Sequence, residues 1–390
     1  MMDRISFAQL YFNELTQEVI PFWEKYSIDK EYGGFFTCID DQHRVFDTDK
    51  FVWLQARQVW TFATLYDRFE KKQSWLDIAR SGSDFLEKNG HDGDYNWFFS
   101  LQRSGKPLVV PYNIFSYTFA CMAMGKMYHI TGEEKYKTAV DQTIKKITER
   151  AAKPKDQWDK SYPDSRPLKN FALPMILCNL YHELGDLVAE EEKEQRTHAC
   201  VNEIFDLFWD AQRGVILENI APNGDFSDTF DGRLVNPGHG LEAMWFIMDL
   251  GVQAGRKDWI DRTVEMALSI VEKGWDEKHG GIFYFLDAEG HPPQQLEWDQ
   301  KLWWVHLEAL ICFLKGYELT GSKACWKWFE KIHHYTWERF RDKKTGGEWY
   351  GYLNRFGEVL LPLKGGKWKG CFHVPRAMLQ LYEISKQLKI

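Results

Sequence analysis

Asp29-Lys-Glu-Tyr-Gly-Gly-Phe-Phe-Thr37 decides how this chain folds: an acidic turn, a glycine pair, then an aromatic extended run. The pattern returns as Trp209-Asp-Ala-Gln-Arg-Gly-Val-Ile-Leu217, as Trp275-Asp-Glu-Lys-His-Gly-Gly-Ile-Phe-Tyr-Phe285 and as Arg341-Asp-Lys-Lys-Thr-Gly-Gly-Glu-Trp-Tyr350. A weaker copy is Asp92-Gly-Asp-Tyr-Asn-Trp-Phe-Phe99. Each copy is followed by a second turn, at Asp40-Asp41, Ser104-Gly105, Asn223-Gly224, Glu289-Gly290 or Phe356-Gly357, so each reads as a β-hairpin. Copies recur roughly every 65 residues, with one gap of about twice that length centred near Asp156-Gln157-Trp158. Six such units account for the 390 residues.

Between the hairpins the apolar residues recur at three- and four-residue spacing, which predicts about twelve amphipathic helices. They fall near 6–26, 54–71, 74–89, 112–130, 133–151, 168–186, 190–209, 239–255, 256–274, 302–320, 322–341 and 372–388. Several pairs are joined by a glycine, as at Gly132, Gly255 and Gly321, where a helix can end in a left-handed backbone without steric cost. Two helices per hairpin, six times over, predict an all-α fold: an (α/α)6 barrel or toroid, closed by the first helix packing beside the last. An open superhelix is the alternative. No linker interrupts the series, so residues 1–390 are read as one domain.

Composition narrows the function. A hydrophobic fraction of 44% supports a large core, and no window is long and apolar enough to cross a membrane. Seven cysteines without Cys-x-x-Cys spacing, behind an N-terminus unlike a secretory signal, predict a cytoplasmic protein with reduced thiols. A net charge of −8 without a basic stripe argues against nucleic acid. The aromatic content is 16%, with 18 Trp, a composition common where indole rings meet the C–H faces of sugars.

In a toroid the helix after each hairpin opens on the central cavity, so the residues at those entrances carry the chemistry. They are Trp53 and Arg57 in the first unit, Asn113 in the second, His239 and Glu242 in the fourth, Trp304, His306 and Glu308 in the fifth, and Trp368 and His373 in the sixth. The third unit offers only Arg166 and Lys169. Charged Arg57, Glu242 and Glu308 on apolar helices would be costly in a dry core, so they predict a wet cavity. His239 at a helix entrance, with Glu242 one turn on, is a proton donor poised near neutrality: the helix terminus disfavours imidazolium and the carboxylate favours it. A metal site would draw on His239, Glu242, His306 and His373, but the His-Glu-x-x-His helix is absent and His306 lies only two residues from Glu308. No metal is expected. A glycosidase would need a carboxylate pair, for which Glu242 and Glu308 are the candidates. Two histidines entering one cavity from separate units suit removal and return of a proton beside a carbonyl.

Four runs resemble the N-acylglucosamine 2-epimerase family across essentially the whole chain. They are Asp49-Lys-Phe-Val-Trp-Leu-Gln-Ala-Arg-Gln58, Arg233-Leu-Val-Asn-Pro-Gly-His-Gly-Leu-Glu-Ala-Met-Trp245, Gln295-Leu-Glu-Trp-Asp-Gln-Lys-Leu-Trp-Trp-Val-His-Leu-Glu308 and Lys364-Gly-Gly-Lys-Trp-Lys-Gly-Cys-Phe-His-Val-Pro-Arg376. The resemblance implies an (α/α)6 barrel that interconverts N-acetyl-D-glucosamine and N-acetyl-D-mannosamine, a reaction of sialic-acid metabolism. It implies His239 and His373 as the catalytic pair, exchanging the C2 proton of the open-chain sugar through a planar enediolate-type intermediate. His373 is the base in one direction and His239 in the other. Arg57, Asn113, Glu242, Trp304, Glu308 and Trp368 are implied to line the sugar pocket, with Arg57 on the oxyanion, Glu242 tuning His239 and Trp368 as a wall. It further implies a homodimer, no cofactor for the chemistry, and ATP as an activator bound by a glycine-lysine loop of the third unit. Here that region, Ala152-Lys-Pro-Lys-Asp-Gln-Trp-Asp-Lys-Ser-Tyr162, has lysines but no glycine to admit a phosphate, which counts against ATP activation. The competing expectations are an aldose–ketose isomerase, a cellobiose- or mannose-type 2-epimerase, and a toroid that binds sugar or protein without catalysis.

Overall fold

The Gly-Gly turns fold the same way three times. Oδ1 of Asp29, Asp276 and Asp342 accepts the backbone N–H groups two and three residues on, fixing an Asx turn in each case. The glycine pairs that follow, at 33–34, 280–281 and 346–347, have φ between 65° and 79°, which side-chain-bearing residues rarely adopt. Oδ2 of the same aspartates accepts from a buried lysine: Lys50 at 2.9 Å, Lys301 at 3.1 Å and Lys364 at 2.6 Å. Each lysine lies just ahead of a long helix, or in the segment leading into one, so the pair clasps a hairpin to the entrance of the next helix. Lys364 also donates to the carbonyls of Gly346 and Glu348, which satisfies all three of its protons. Lys364→Met should leave Asp342 charged and without its buried cation, a change that costs about 3–5 kcal/mol. Urea unfolding measures it, and a loss below about 1 kcal/mol would show that the clasp holds nothing.

The computed structural model describes residues 6–152, 165 and 167–390. Among them the helices are α1 (Phe7–Asn13), α2 (Ile20–Tyr26), α3 (Val52–Thr64), α4 (Gln73–Asn89), α5 (Ile114–Thr131), α6 (Glu134–Ala152), α7 (Ala172–Leu184), α8 (Glu190–Glu203), α9 (Pro237–Gln253), α10 (Lys257–Gly274), α11 (Trp303–Thr320), α12 (Lys323–Arg339) and α13 (His373–Leu388). A π turn over Glu14–Val19 fuses α1 and α2 into one rod, giving the twelve expected helices. The strands are two or three residues long and pair antiparallel. Lys50–Phe51 pairs with Ser100–Leu101, and Lys301–Leu302 with Tyr352–Leu353, so the hairpins stitch neighbouring units together.

Packing sorts the helices into two sets. α3 packs on α5, α5 on α7, α7 on α9, α9 on α11, and α11 on α13. Each of these has a second partner: α4, α6, α8, α10, α12 and, for α13, the N-terminal α1. The start of α13 returns to α3, where the Thr61 hydroxyl donates to the Cys371 carbonyl at 2.9 Å and Trp60 meets Phe372 edge-on at 5.4 Å. α9 and α11 are buried almost all round and are accordingly apolar all round, whereas α4 and α10 bury one stripe. One continuous apolar core runs from Tyr11 to Ile384. Among the described residues no helix is long and apolar enough to cross a membrane, and all seven cysteines are free. Residues 153–162, which make up nearly all of the stretch bearing on ATP and include the degenerate repeat near Asp156-Gln157-Trp158, lie outside the described residues, as does Arg166.

Candidate active site

α9 begins at Pro237, two residues ahead of the start near 239 that the apolar spacing gave. The Asn236 side chain caps it by accepting the His239 amide at 3.2 Å, and Pro237 occupies a first-turn position, where a missing N–H costs nothing. Just upstream, Arg233 Nε donates to Asp287 at 3.0 Å and pins the entrance to the neighbouring hairpin. The His239 ring donates Nδ1–H to the Glu218 carboxylate at 3.0 and 3.1 Å. Glu218 is held on both sides of its backbone: its N–H donates to Leu234 and its carbonyl accepts from Phe171. The carboxylate that orients His239 is therefore Glu218, and the expected pairing with Glu242 is corrected. Glu242 instead accepts from Arg376 at 2.8 Å.

His373 opens α13 and donates Nδ1–H to Glu308 at 2.7 Å. The same Glu308 oxygen accepts from Arg376 at 2.7 Å, while its other oxygen accepts the Trp245 indole N–H at 2.8 Å. With its carboxylate so engaged and no surface exposed, Glu308 lies behind His373 and not on the cavity wall, which corrects its expected place among the sugar-lining groups. One turn earlier on α11, Trp304 does reach the cavity. Ligand atoms of Glu242, Glu308 and His373 all lie within 4.8 Å of one another, the sort of cluster that binds a cation. Arg376 bonds both carboxylates and supplies the positive charge there.

The two imidazoles consequently differ. Burial lowers the affinity of His239 for a proton, but the charge and hydrogen bond of Glu218, with Glu242 nearby, outweigh it and raise the pKa above the ordinary histidine value. Burial and the positive charges of Arg57 and Arg376 hold His373 well below that value, against the pull of Glu242. At pH 6.5, the ordinary histidine value, the pair is thus mainly one imidazolium, His239, and one neutral imidazole, His373. With Nδ1–H committed to a carboxylate in both rings, Nε2 is the nitrogen each has left for proton transfer. A singly protonated pair predicts a kcat/KM plateau across pH 6.5, bounded below by protonation of His373 and above by deprotonation of His239. Glu218→Gln removes what raises His239, so the basic limb should move to lower pH while the acidic limb stays. A pH–rate profile with an unmoved basic limb would refute the assignment of Glu218.

Both rings face a cavity of about 450 Å³, within the range of about 300–1,000 Å³ usual for small ligands. Of the expected residues it gathers Arg57, Asn113, His239, Glu242, Trp304, Trp368 and His373. The Trp304 indole borders both histidines, its ring centre 5.2 Å from that of His239 and 5.9 Å from that of His373. Arg57 is stacked against Trp53, Phe119 and Phe372 at 4.5, 4.0 and 4.7 Å. Burial brings its pKa down to about 9, which still leaves a cation at neutral pH. Asn113 caps α5, accepting the Phe115 amide at 2.8 Å, and half-exposed Trp368 stands at the mouth beside Trp53. His306 belongs elsewhere, as its spacing from Glu308 implied. It donates to the Leu302 carbonyl and accepts the Ile282 amide, and burial lowers its pKa to about 3. The sequence reading missed Tyr284, Glu297 and Gln300, which reach the cavity from the loop between α10 and α11. It also missed Glu218, for which one signal exists. Four residues after the last turn glycine, the other repeats carry Cys38, Phe285 and Gly351, and only this copy carries a charge.

Residues 34–377 match the family model described as N-acylglucosamine 2-epimerase (GlcNAc 2-epimerase). The chain belongs to the N-acylglucosamine 2-epimerase family. It is 39% identical over 385 residues to the N-acylglucosamine 2-epimerase of Bos taurus, covering 95% of this chain and 89% of that one. The corresponding figures for the Homo sapiens N-acylglucosamine 2-epimerase are 39% over 380 residues, 94% and 87%. Among solved structures the cellobiose 2-epimerase of Bacillus thermoamylovorans B4167 superposes with a TM-score of 0.83 at 22% identity, over 97% of this chain and 99% of that one. Membership of this family makes the chain an enzyme, an isomerase of the 2-epimerase type.

Proposed function

We propose that this chain is a single-domain (α/α)6 barrel that interconverts N-acetyl-D-glucosamine and N-acetyl-D-mannosamine by two-base proton exchange at C2. The observation that carries the reading is the pair of oppositely tuned imidazoles, His239 on Glu218 and His373 on Glu308, both bordering Trp304 in one cavity. Two-base inversion of a carbon beside a carbonyl needs a base on one face and an acid on the other, and this pair has both at pH 6.5. The open-chain sugar loses its C2 proton to Nε2 of neutral His373. The electron pair moves into the C1–C2 bond and the C1 carbonyl oxygen becomes an enolate oxygen. Nε2–H of His239 returns a proton to the other face, the electron pair moves back, and the aldehyde re-forms with C2 inverted. The opposite direction runs through the complementary protonation state of the same pair. Arg57, a cation held by three aromatic rings in a water-poor site, faces the developing oxyanion without reorganising. Arg376 cannot serve there, since both carboxylates already occupy it.

The twofold sorting of the helices and the return of α13 to α3 support barrel closure, and the continuous core supports one domain. Free cysteines throughout support a reducing, cytoplasmic setting. The test is incubation of N-acetylmannosamine in deuterated water with NMR detection. N-acetylglucosamine carrying deuterium at C2 is the expected product. A ketose would replace the epimerase by an aldose–ketose isomerase, and the absence of any turnover would leave a binding toroid. Parallel runs with and without ATP address activation, for which the loop without glycine predicts no effect.

A further inference from the structure

Of the six helices that open on the cavity, α5 and α7 line it with apolar side chains alone, and α7 lacks even the polar cap that Asn113 gives α5. α7 places Met175 and Ile176 on the wall, and α5, which packs on α7, brings Phe115 and Phe119 to the same cavity. This answers the gap at the third unit, where the sequence offers no histidine or carboxylate. An apolar wall in an otherwise charged cavity gives water nothing to bond to, and it favours a ligand whose surface is apolar at that one place. Resting on the epimerase reading above, we propose that Met175 and Ile176, backed by Phe115 and Phe119, seat the acyl chain of the N-acyl group and set which acyl lengths are accepted.

The placement follows from the reacting carbon. C2 must lie between His239 and His373, so its three remaining substituents, C1, C3 and nitrogen, spread in the plane between the rings. Trp304 of α11 closes one side of that plane. Neighbour packing in the order α3, α5, α7, α9, α11, α13 puts α5 and α7 across the ring from α11 and α13. A substituent turned away from Trp304 therefore runs towards the α5–α7 wall. The oxygens on C1 and C3 have Arg57, Asn113 and Glu242 to meet, whereas the acyl chain is the one aliphatic branch of the sugar. Methionine suits the task, because an unbranched thioether adapts its shape to a variable neighbour.

The experiment measures kcat and KM for mannosamines carrying acetyl, propanoyl and butanoyl groups, and for mannose, on the wild type, Met175→Ala and Ile176→Val. Leu180→Ala serves as control, since Leu180 is buried on the same helix away from the cavity. In Met175→Ala the butanoyl-to-acetyl ratio of kcat/KM should rise about tenfold over wild type, mostly through KM, because one or two methylenes in a pocket are worth that much. Ile176→Val, which disturbs the fold least, should move the ratio the same way by about twofold to fourfold. Leu180→Ala should leave the ratio unchanged. Ratios that match wild type in both wall variants, or that shift equally in the control, would overturn the assignment while leaving the epimerase standing. If the wild type turns over mannose but no N-acyl sugar, the reading of the reaction falls and the acyl seat with it.

Discussion

His373→Asn is expected to abolish interconversion of N-acetylglucosamine and N-acetylmannosamine while leaving one half of the reaction running. Asparagine is the substitution to use, because its amide can still donate to Glu308 and spares that buried carboxylate an unmet bond. Loss of a positioned general base lowers turnover by about 10²–10⁴-fold. His239 remains, with its own carboxylate, and can still remove the C2 proton of whichever epimer presents that proton to it. In deuterated water the variant should therefore wash deuterium into C2 of one epimer and not the other, without inversion. His239→Asn, whose amide can likewise serve Glu218, should exchange the opposite epimer. Mass spectrometry of each recovered sugar reads the result. A variant that inverts C2 within about tenfold of the wild-type rate, or that labels both epimers equally, would mean one base reaches both faces. The two-imidazole scheme would then be wrong.

The parts of this site that the sequence disclosed are those fixed by local geometry. His239, Trp304 and His373 stand at or near the first turns of long helices that follow recurring hairpins, and the repeat alone says those entrances share a cavity. Arg57 was legible for a related reason, as a charge on a helix otherwise buried on every face. What the sequence did not disclose is pairing at long range. Glu242, three residues from His239 on one helix, looked like its natural partner. Glu218, 21 residues upstream across a strand crossing, takes that place. Helical spacing sets which side chains share a face, not which of them finds a closer partner on another element. Glu308 was read as a cavity group because a carboxylate on an apolar helix is costly unless wet. Arg376, 68 residues away, and the Trp245 indole remove that cost by pairing it in the dry interior. No local signal marks Lys50, Lys301 and Lys364 as clasps either, since their aspartates lie 21, 25 and 22 residues upstream.

Arg376 gives the second large effect, and its sign separates electrostatics from packing. Its guanidinium bonds Glu242 and Glu308 and lies 3.5 Å from Nδ1 of His373, with little of it exposed. In Arg376→Met the volume is nearly kept, but two buried carboxylates face each other without a cation. Removing one member of such a network costs about 3–5 kcal/mol at neutral pH. The pH dependence should also invert. In the wild type the lowered His373 pKa means stability is lost as pH falls below about 6.5, where the unfolded histidine takes a proton and the folded one does not. In the variant the crowded carboxylates bind protons more tightly folded than unfolded, so stability should be regained as pH falls and lost as it rises. His373 loses a repelling charge at the same time. Its pKa should climb, and the acidic limb of kcat/KM should move up by about one pH unit or more. Arg376→Lys restores the charge without the fork and should hold the limb near its wild-type position even where stability is only partly recovered. Urea unfolding at pH 5 and pH 7 and a pH–rate profile make the comparison. If the methionine and lysine variants show the same acidic limb, Arg376 acts by filling space, and the neutrality of His373 must come from burial and Arg57 alone.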